Sequence, residues 1–224
     1  MPGTERTIED TRDGAAFSRR LRSATRQEHR SAESGAFMRA LFGGTLPLSA
    51  FTALTTQLYF VYAELERVAA AARTDPRAGP FLTSDLDRVP ALEEDLEYFH
   101  GPGWRRTTAP GPAARAYARR VAETAGWPGG LIAHHYTRYL GDLSGGRDIA
   151  RVAAGTYGFT GPGLRFYHFT AIADPDAFKD AYRRRLDRLA AGDPAERDRI
   201  VAEVRVAYRL NIALLDELAA TVAP

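Results

Sequence analysis

The sequence predicts a single all-α domain, and three observations carry that prediction. Apolar residues recur at intervals of three and four along nearly every segment, the spacing that lines one face of a helix. No stretch alternates apolar and polar residues with period two for long enough to build a significant sheet. Glycine and proline clusters punctuate the chain between the periodic segments. With 224 residues, 45% of them hydrophobic and 26% charged, the chain can enclose one sizeable core. Roughly seven to nine helices around that core are expected.

Taken in order, residues 1–15 are polar and read as a disordered N-terminal segment, with the helical domain occupying 16–222. A first helix is expected over 16–34, with Phe17, Leu21 and Ala24 on one side, and a short helical turn over 36–42. Gly43, Gly44 and Pro47 then break the chain. A long helix follows from Leu48 to Ala72, its stripe formed by Phe51, Leu54, Leu58, Val61, Leu65 and Val68. Residues 73–90 are rich in breakers and read as a loop, 91–99 as a helix and 100–112 as another loop. Helices are expected at 113–125 and 129–157, with a turn from Gly158 to Gly163. Asp174 followed by Pro175 starts a helix running to Ala191, and Asp193 followed by Pro194 starts the last, which runs to Ala220.

The helix over 129–157 holds a physical puzzle. Ile132, Tyr136, Tyr139, Leu143, Gly146, Ala150, Ala153 and Tyr157 form a continuous helical stripe, yet Gly141, Gly145 and Gly146 sit within it. Each glycine costs about 1 kcal/mol relative to alanine, roughly 2–3 kcal/mol together. Gly141 and Gly145 lie four apart and make one smooth patch, with Asp142 beside it and Arg138 one turn before. Two readings explain bare backbone there: close helix–helix packing, or close approach of a flat ligand whose chemistry needs a proton. A second anomaly lies in the last helix, whose stripe Val201, Val204, Tyr208, Asn211, Leu215, Leu218 is interrupted by an amide. A buried amide without partners costs on the order of 1–3 kcal/mol, so Asn211 needs either a neighbouring backbone or a water-lined cavity.

Composition narrows the chemistry. The chain has no cysteine, which excludes disulfides, thiolate ligands and cysteine nucleophiles. A net charge of +2, with no basic stripe interleaved with aromatics, gives no basis for nucleic-acid binding. There is no secretory or transit signature, no apolar run near the length of a membrane span and no hydrophobic tail, so a cytoplasmic protein without a membrane anchor is expected. Thirty residues are basic, but Lys179 is the single lysine and Asn211 the single asparagine, a compositional bias of bacterial character. The five histidines make no His-x-x-x-His pair, no carboxylate-bridged bundle motif and no nucleophile triad. His29 is the most suggestive, with Arg22 seven residues before it on the same face and Glu33 four after it. Without cysteine, a haem here would take histidine or tyrosine as its ligand. Lys179 and Arg183, four apart, present two cations suited to a dianionic ligand edge, or form a solvated basic face.

Together these residues resemble the haem oxygenase family. The stretch from Tyr136 to Gly146 is similar to that family's distal-helix signature, and Ala24-Thr25, His29, Ala32-Glu33 and Phe37-Met38-Arg39 to its proximal helix. Leu58-Tyr59 with Tyr62, Asp95-Leu96, Phe178-Lys179, Tyr182-Arg183 and Leu210-Asn211-Ile212 add support, and the resemblance spans about 16–220. It implies haem b held between a proximal and a glycine-kinked distal helix, as both cofactor and substrate. His29 would ligate the iron, with Glu33 near it. Gly141 and Gly145 would press backbone against the haem, and Gly146 would let the helix flex. Asp142 would anchor a water network joined by Arg138, Tyr62 and Asn211. Arg22, Tyr136, Lys179 and Arg183 would hold the propionates, and Phe166, Phe169 and Tyr208 would line the pocket. The implied reaction is cleavage at a meso carbon, the α carbon, to biliverdin, carbon monoxide and ferrous iron. It uses O2 and an external electron donor, a ferredoxin or flavoprotein reductase, in a monomeric enzyme. Arg22 stands where some relatives have lysine, and His135 and His168 are alternative candidate ligands. Two rival readings are a non-catalytic haem carrier or sensor, and a thiamin-degrading or quinone-forming enzyme of the same helical architecture.

Overall fold

The structure is a computed structural model that describes residues 16–189 and 192–221. The expected N-terminal segment 1–15, the end of the helix at 190–191 and residue 222 lie outside the described residues. Eleven α-helices are present among those described: α1 Phe17–Ala24, α2 Arg26–Ser34, α3 Ala36–Phe42, α4 Leu48–Ala72, α5 Val89–His100, α6 Trp104–Thr107, α7 Pro112–Glu123, α8 Pro128–His135, α9 Gly141–Tyr157, α10 Pro175–Leu189 and α11 Pro194–Ala220. No strand forms among them, and the sole β feature is an isolated bridge between Gly161 and Gly163.

The count exceeds the expected one for local reasons. Thr25 adopts φ −113° and ψ 13°, and its hydroxyl bonds back to the Leu21 carbonyl at 2.8 Å. That back-bonding competes with the helical ladder and breaks the expected 16–34 helix into α1 and α2. Arg22 and His29 therefore stand on separate helices, α1 and α2. Trp104 buries itself against Tyr59, with ring centroids 4.7 Å apart, and turns part of the expected 100–112 loop into the one-turn α6. Helix α5 runs from Val89 to His100 rather than 91–99, because Pro90 sits harmlessly in its first turn. The long α4 and the two acid caps stand where expected: Asp174 accepts from the Asp176 and Ala177 amides at 3.0 and 2.9 Å, and Asp193 from Glu196 at 2.9 Å.

Helix α4 is central. Its stripe of Phe51, Leu54, Leu58, Val61, Leu65 and Val68 is at most 5% exposed, and it packs on α5 and α7. Helix α11 packs on α7, α8, α2 and α3. Along α11, Val201, Val204, Leu215 and Leu218 are buried, whereas Tyr208 and Asn211 at mid-stripe are half-buried. The stripe thus opens where α11 passes the site.

Candidate active site

Helices α8 and α9 are one continuous rod joined by a five-residue π-helical turn, Tyr136–Leu140. Such turns insert an extra residue and re-aim side chains. The expected helix over 129–157 is therefore continuous but not uniformly α. Ile132, Tyr139, Leu143, Ala150 and Ala153 stay in the core. Gly141 and Gly145 lie on the exposed side, and a Cβ built on either meets no atom within 4 Å. Close helix packing therefore does not explain these two glycines. It does explain Gly146, where a Cβ would sit 3.3 Å from the Tyr167 ring.

Beside that bare backbone is a buried polar cluster drawn from three helices. Tyr62 of α4 is fully buried and donates its hydroxyl hydrogen to Oδ2 of Asp142. Arg138 donates from Nε to the Tyr62 hydroxyl at 3.2 Å and from Nη1 to Asn211 Oδ1 at 2.5 Å, and its Nη2 lies 3.5 Å from Asp142 Oδ1. The partner that Asn211 needs is thus a side chain of the cluster and not a neighbouring backbone group. Burial raises the Asp142 carboxyl, opposed in part by Arg138, Tyr62 and Arg88. Burial also holds the Tyr62 phenol well above its ordinary range. Burial disfavours the Arg138 charge, but Tyr62 and Asp142 more than restore it. The result is a carboxyl that retains a proton more readily than a solvated one, fixed by a neutral phenol and a permanent cation.

His29 lies on α2 with its side chain 51% exposed. Its Nδ1 sits 3.1 Å from Glu33 Oε2, which leaves Nε2 for another partner and fixes the tautomer. The Tyr208 ring stands edge-on to it, with centroids 5.9 Å apart. No group of three His, Asp or Glu among the described residues can hold a metal ion, so a metal on His29 must bring its other ligands with it. Two of the expected cations lie near Tyr136. Arg183 and Arg22 both stabilise its ionised form electrostatically, against a larger effect of burial. Lys179 is 9% exposed and pairs with Asp176 at 2.9 Å, and Arg183 pairs with Asp180 at 2.7 Å.

Three expectations are refined. Phe166 stands behind Tyr62, edge to face at 5.2 Å, and is itself buried. Phe169 stacks beneath the Arg88 guanidinium at 4.2 Å. His135 is not available as an alternative ligand: it is buried, bonded to the Tyr182 hydroxyl at 2.9 Å and held neutral by burial, with a pKa lowered to about 3. His168 is exposed, and its carbonyl accepts from Arg88 at 2.9 Å.

Sequence reasoning missed the residues that hold this assembly in place. Asp95 is fully buried, and its carboxylate accepts the amides of Gly163, Arg165 and Phe166 at 2.8–3.0 Å. It pins the short 3₁₀ turn at 165–167, and hence the wall behind Tyr62. Its signal was available, since Asp95 interrupts the apolar face of α5 as Asn211 interrupts that of α11. Glu66 accepts from the Arg88 and Val89 amides and from Tyr139 at 3.2 Å. Arg88 comes from a loop with no periodic signal.

A lone imidazole, a helix backbone free of side chains, a set of cations on α1 and α10 and a proton-retaining carboxyl define a class. They fit an all-helical protein that binds a planar, metal-bearing dianion and handles protons beside it. The family model described as Heme oxygenase matches residues 15–217. "Heme oxygenase 1" of Nostoc sp. is 38% identical over 204 residues, covering 90% of this chain and 85% of that one. The human "Heme oxygenase 1" is 37% identical, covering 90% and 71%. The crystal structure of heme oxygenase-1 from Synechocystis sp. in complex with heme superposes with a TM-score of 0.88 at 34% identity, covering 92% and 94%. The structure of heme oxygenase from Leptospira interrogans gives 0.86 at 34%, covering 91% and 100%. The chain belongs to the haem oxygenase family.

Proposed function

We propose that the chain opens haem at a meso carbon, the α carbon, giving biliverdin, carbon monoxide and ferrous iron. The observation that carries this reading is the Asp142–Tyr62–Arg138–Asn211 cluster beside the side-chain-free backbone of Gly141 and Gly145. Bound haem supplies the iron that takes up O2 and the carbon that is oxidised. The protein supplies the rest.

His29 offers Nε2 as the iron ligand, its Nδ1 being held by Glu33. Gly141 and Gly145 let a flat ring approach main chain without a Cβ in the way. Asp142, whose carboxyl burial raises, retains a proton more readily than a solvated acid and passes it through water, and Tyr62 and Arg138 fix the carboxyl that does so. Arg138 is turned to Asn211 and Tyr62, so its charge orders the cluster instead of pulling an oxygen–oxygen bond apart. Tyr136, Arg22, Lys179 and Arg183 hold the two carboxylates of the ring edge. Electrons come from a separate ferredoxin or flavoprotein reductase, an acidic donor that the arginines around α1 and α10 would attract. The same proposal places a monomer in the cytoplasm; among the described residues no helix is long and apolar enough to cross a membrane.

An absorption spectrum tests this directly. Added haem should give a histidine-ligated band, and reductant in air should then convert it to biliverdin. Haem that survives reductant and air would make the chain a carrier, and no haem uptake would remove the reading altogether.

A further inference from the structure

A series of aromatic rings runs from the cluster to the surface. Tyr62 meets Phe166 with ring centroids 5.2 Å apart, and Phe166 meets Tyr167 at 4.8 Å. Tyr167 meets Phe51 at 6.3 Å, and Phe51 meets Tyr157 at 5.4 Å. Tyr157 meets Phe159 at 5.5 Å, and Phe159 meets Tyr98 at 6.1 Å. Tyrosines alternate with phenylalanines throughout, so each readily oxidised phenol is one ring away from the next.

Core packing accounts for the middle of the series but not for its two ends. Tyr62 at the inner end donates its hydroxyl hydrogen to Asp142, which, once it has passed on its own proton, is placed to take that of the phenol if the phenol loses an electron. Tyr98 at the outer end is 55% exposed, one of three large apolar side chains left so open among the described residues. An exposed phenol contributes little to burial. It does have water to take its proton and solution partners to return its electron.

We propose that this series exports oxidising equivalents from the site to Tyr98, making that surface a one-electron oxidation site for small phenols and similar reductants. The inference rests on the haem reading of the site. Its occasion is peroxide split there without ring opening. Reduction of one hydrogen peroxide to two waters consumes two electrons and two protons. Each electron leaves a phenol, which becomes a phenoxyl radical and releases its proton, at Tyr62 to Asp142 and at Tyr98 to water. Electrons passing inward restore the inner phenols, so the radical comes to rest at Tyr98. There a reductant gives back one electron and one proton, or two such radicals from two molecules couple through a carbon–carbon bond into a dityrosine.

The chain has no cysteine, so Gly145→Cys provides a single thiol for a ruthenium polypyridyl photo-oxidant in the haem-free protein. After flash oxidation with a spin trap, peptide mass spectrometry should find the adduct on Tyr98. Tyr167→Phe combined with Tyr157→Phe keeps every ring but removes two phenols, and should lower the Tyr98 adduct to the background of unlabelled protein. An adduct on Tyr98 unchanged by that double variant, or adducts spread over other exposed tyrosines, would overturn the route. In a second arm, haem-loaded protein treated with hydrogen peroxide should form dityrosine dimers that Tyr98→Phe abolishes. Transfer in the first arm with none in the second would leave the route standing and count against the haem reading of the pocket.

Discussion

Asp142 and His29 show how much a neighbour decides what a side chain can do. Asp142 is held in place by Tyr62 and faces Arg138, yet burial still raises its carboxyl. In the proposed reaction it passes a proton and does not touch iron. Asp142→Ala should therefore bind haem nearly normally and lose ring opening, and Asp142→Asn should be nearly as poor because an amide relays a proton badly. Single-turnover spectroscopy with haem, oxygen and reductant reads the biliverdin yield; a wild-type yield from the alanine variant would reduce Asp142 to a structural group. Among the described residues His29 has Glu33 on its Nδ1 and no cluster of ligands around it. His29→Ala should lose the histidine-ligated spectrum, and added imidazole should restore it. An unchanged spectrum would move the ligand elsewhere, with the exposed His168 the first to test.

At the scale of the element, α9 sacrifices helix stability for a bare face. Gly141 and Gly145 meet nothing where a Cβ would be, so alanine at both should raise the stability of the haem-free protein by about 1–2 kcal/mol while weakening haem binding. Chemical denaturation of the haem-free variant and a haem titration read the two effects separately; lowered stability would return the glycines to packing. Helix α4 carries a second test. Burial raises the Glu66 carboxyl from 4.5 to about 7, against the opposing amides of Arg88 and Val89. Between those values the folded chain holds a proton that the unfolded chain has lost. The resulting stability, about 3 kcal/mol, is fully present below pH 4.5 and lost as pH rises through about 7. His135, lowered from 6.5 to about 3, acts with the opposite sign across part of that window. Glu66→Gln keeps the neutral form at every pH, so urea melts at pH 5 and pH 8 should show wild type losing about 2–3 kcal/mol relative to the variant as pH rises, which isolates Glu66. These elements also show what could be read in advance. The stripe of α4, the acid caps and the glycine patch were legible because helical periodicity and capping are local. The break at Thr25, the π-helical turn and the reach of Arg88 to the Phe166 and His168 carbonyls were not, because each depends on a hydrogen bond that spacing does not encode.

At the scale of the whole molecule, the orientation of the bound ring depends on parts far apart in sequence. In the proposed site the iron ligand is on α2, the proton-holding cluster joins α4, the rod of α8 and α9, and α11, and the cations stand on α1 and α10. A ring pinned at its centre by His29 can still rotate in its own plane. Only the cations at its edge prevent that, and which meso carbon lies nearest the Asp142 side follows from where they hold it. Lys179 is nearly buried and Arg183 half so, and each keeps an exposed carboxylate one turn away, Asp176 and Asp180, that a bound propionate would replace as partner. Neither cation is part of the apolar core, whose contacts from α10 come through Phe178, Tyr182, Leu186 and Leu189. Lys179→Ala combined with Arg183→Ala should thus leave the fold and the His29 bond intact while freeing the ring to rotate. Chromatography of the extracted product should then show a mixture of biliverdin isomers in place of one. A single isomer formed at the full rate by the double variant would mean that the ring is oriented by the pocket walls, and that these two cations serve only the surface.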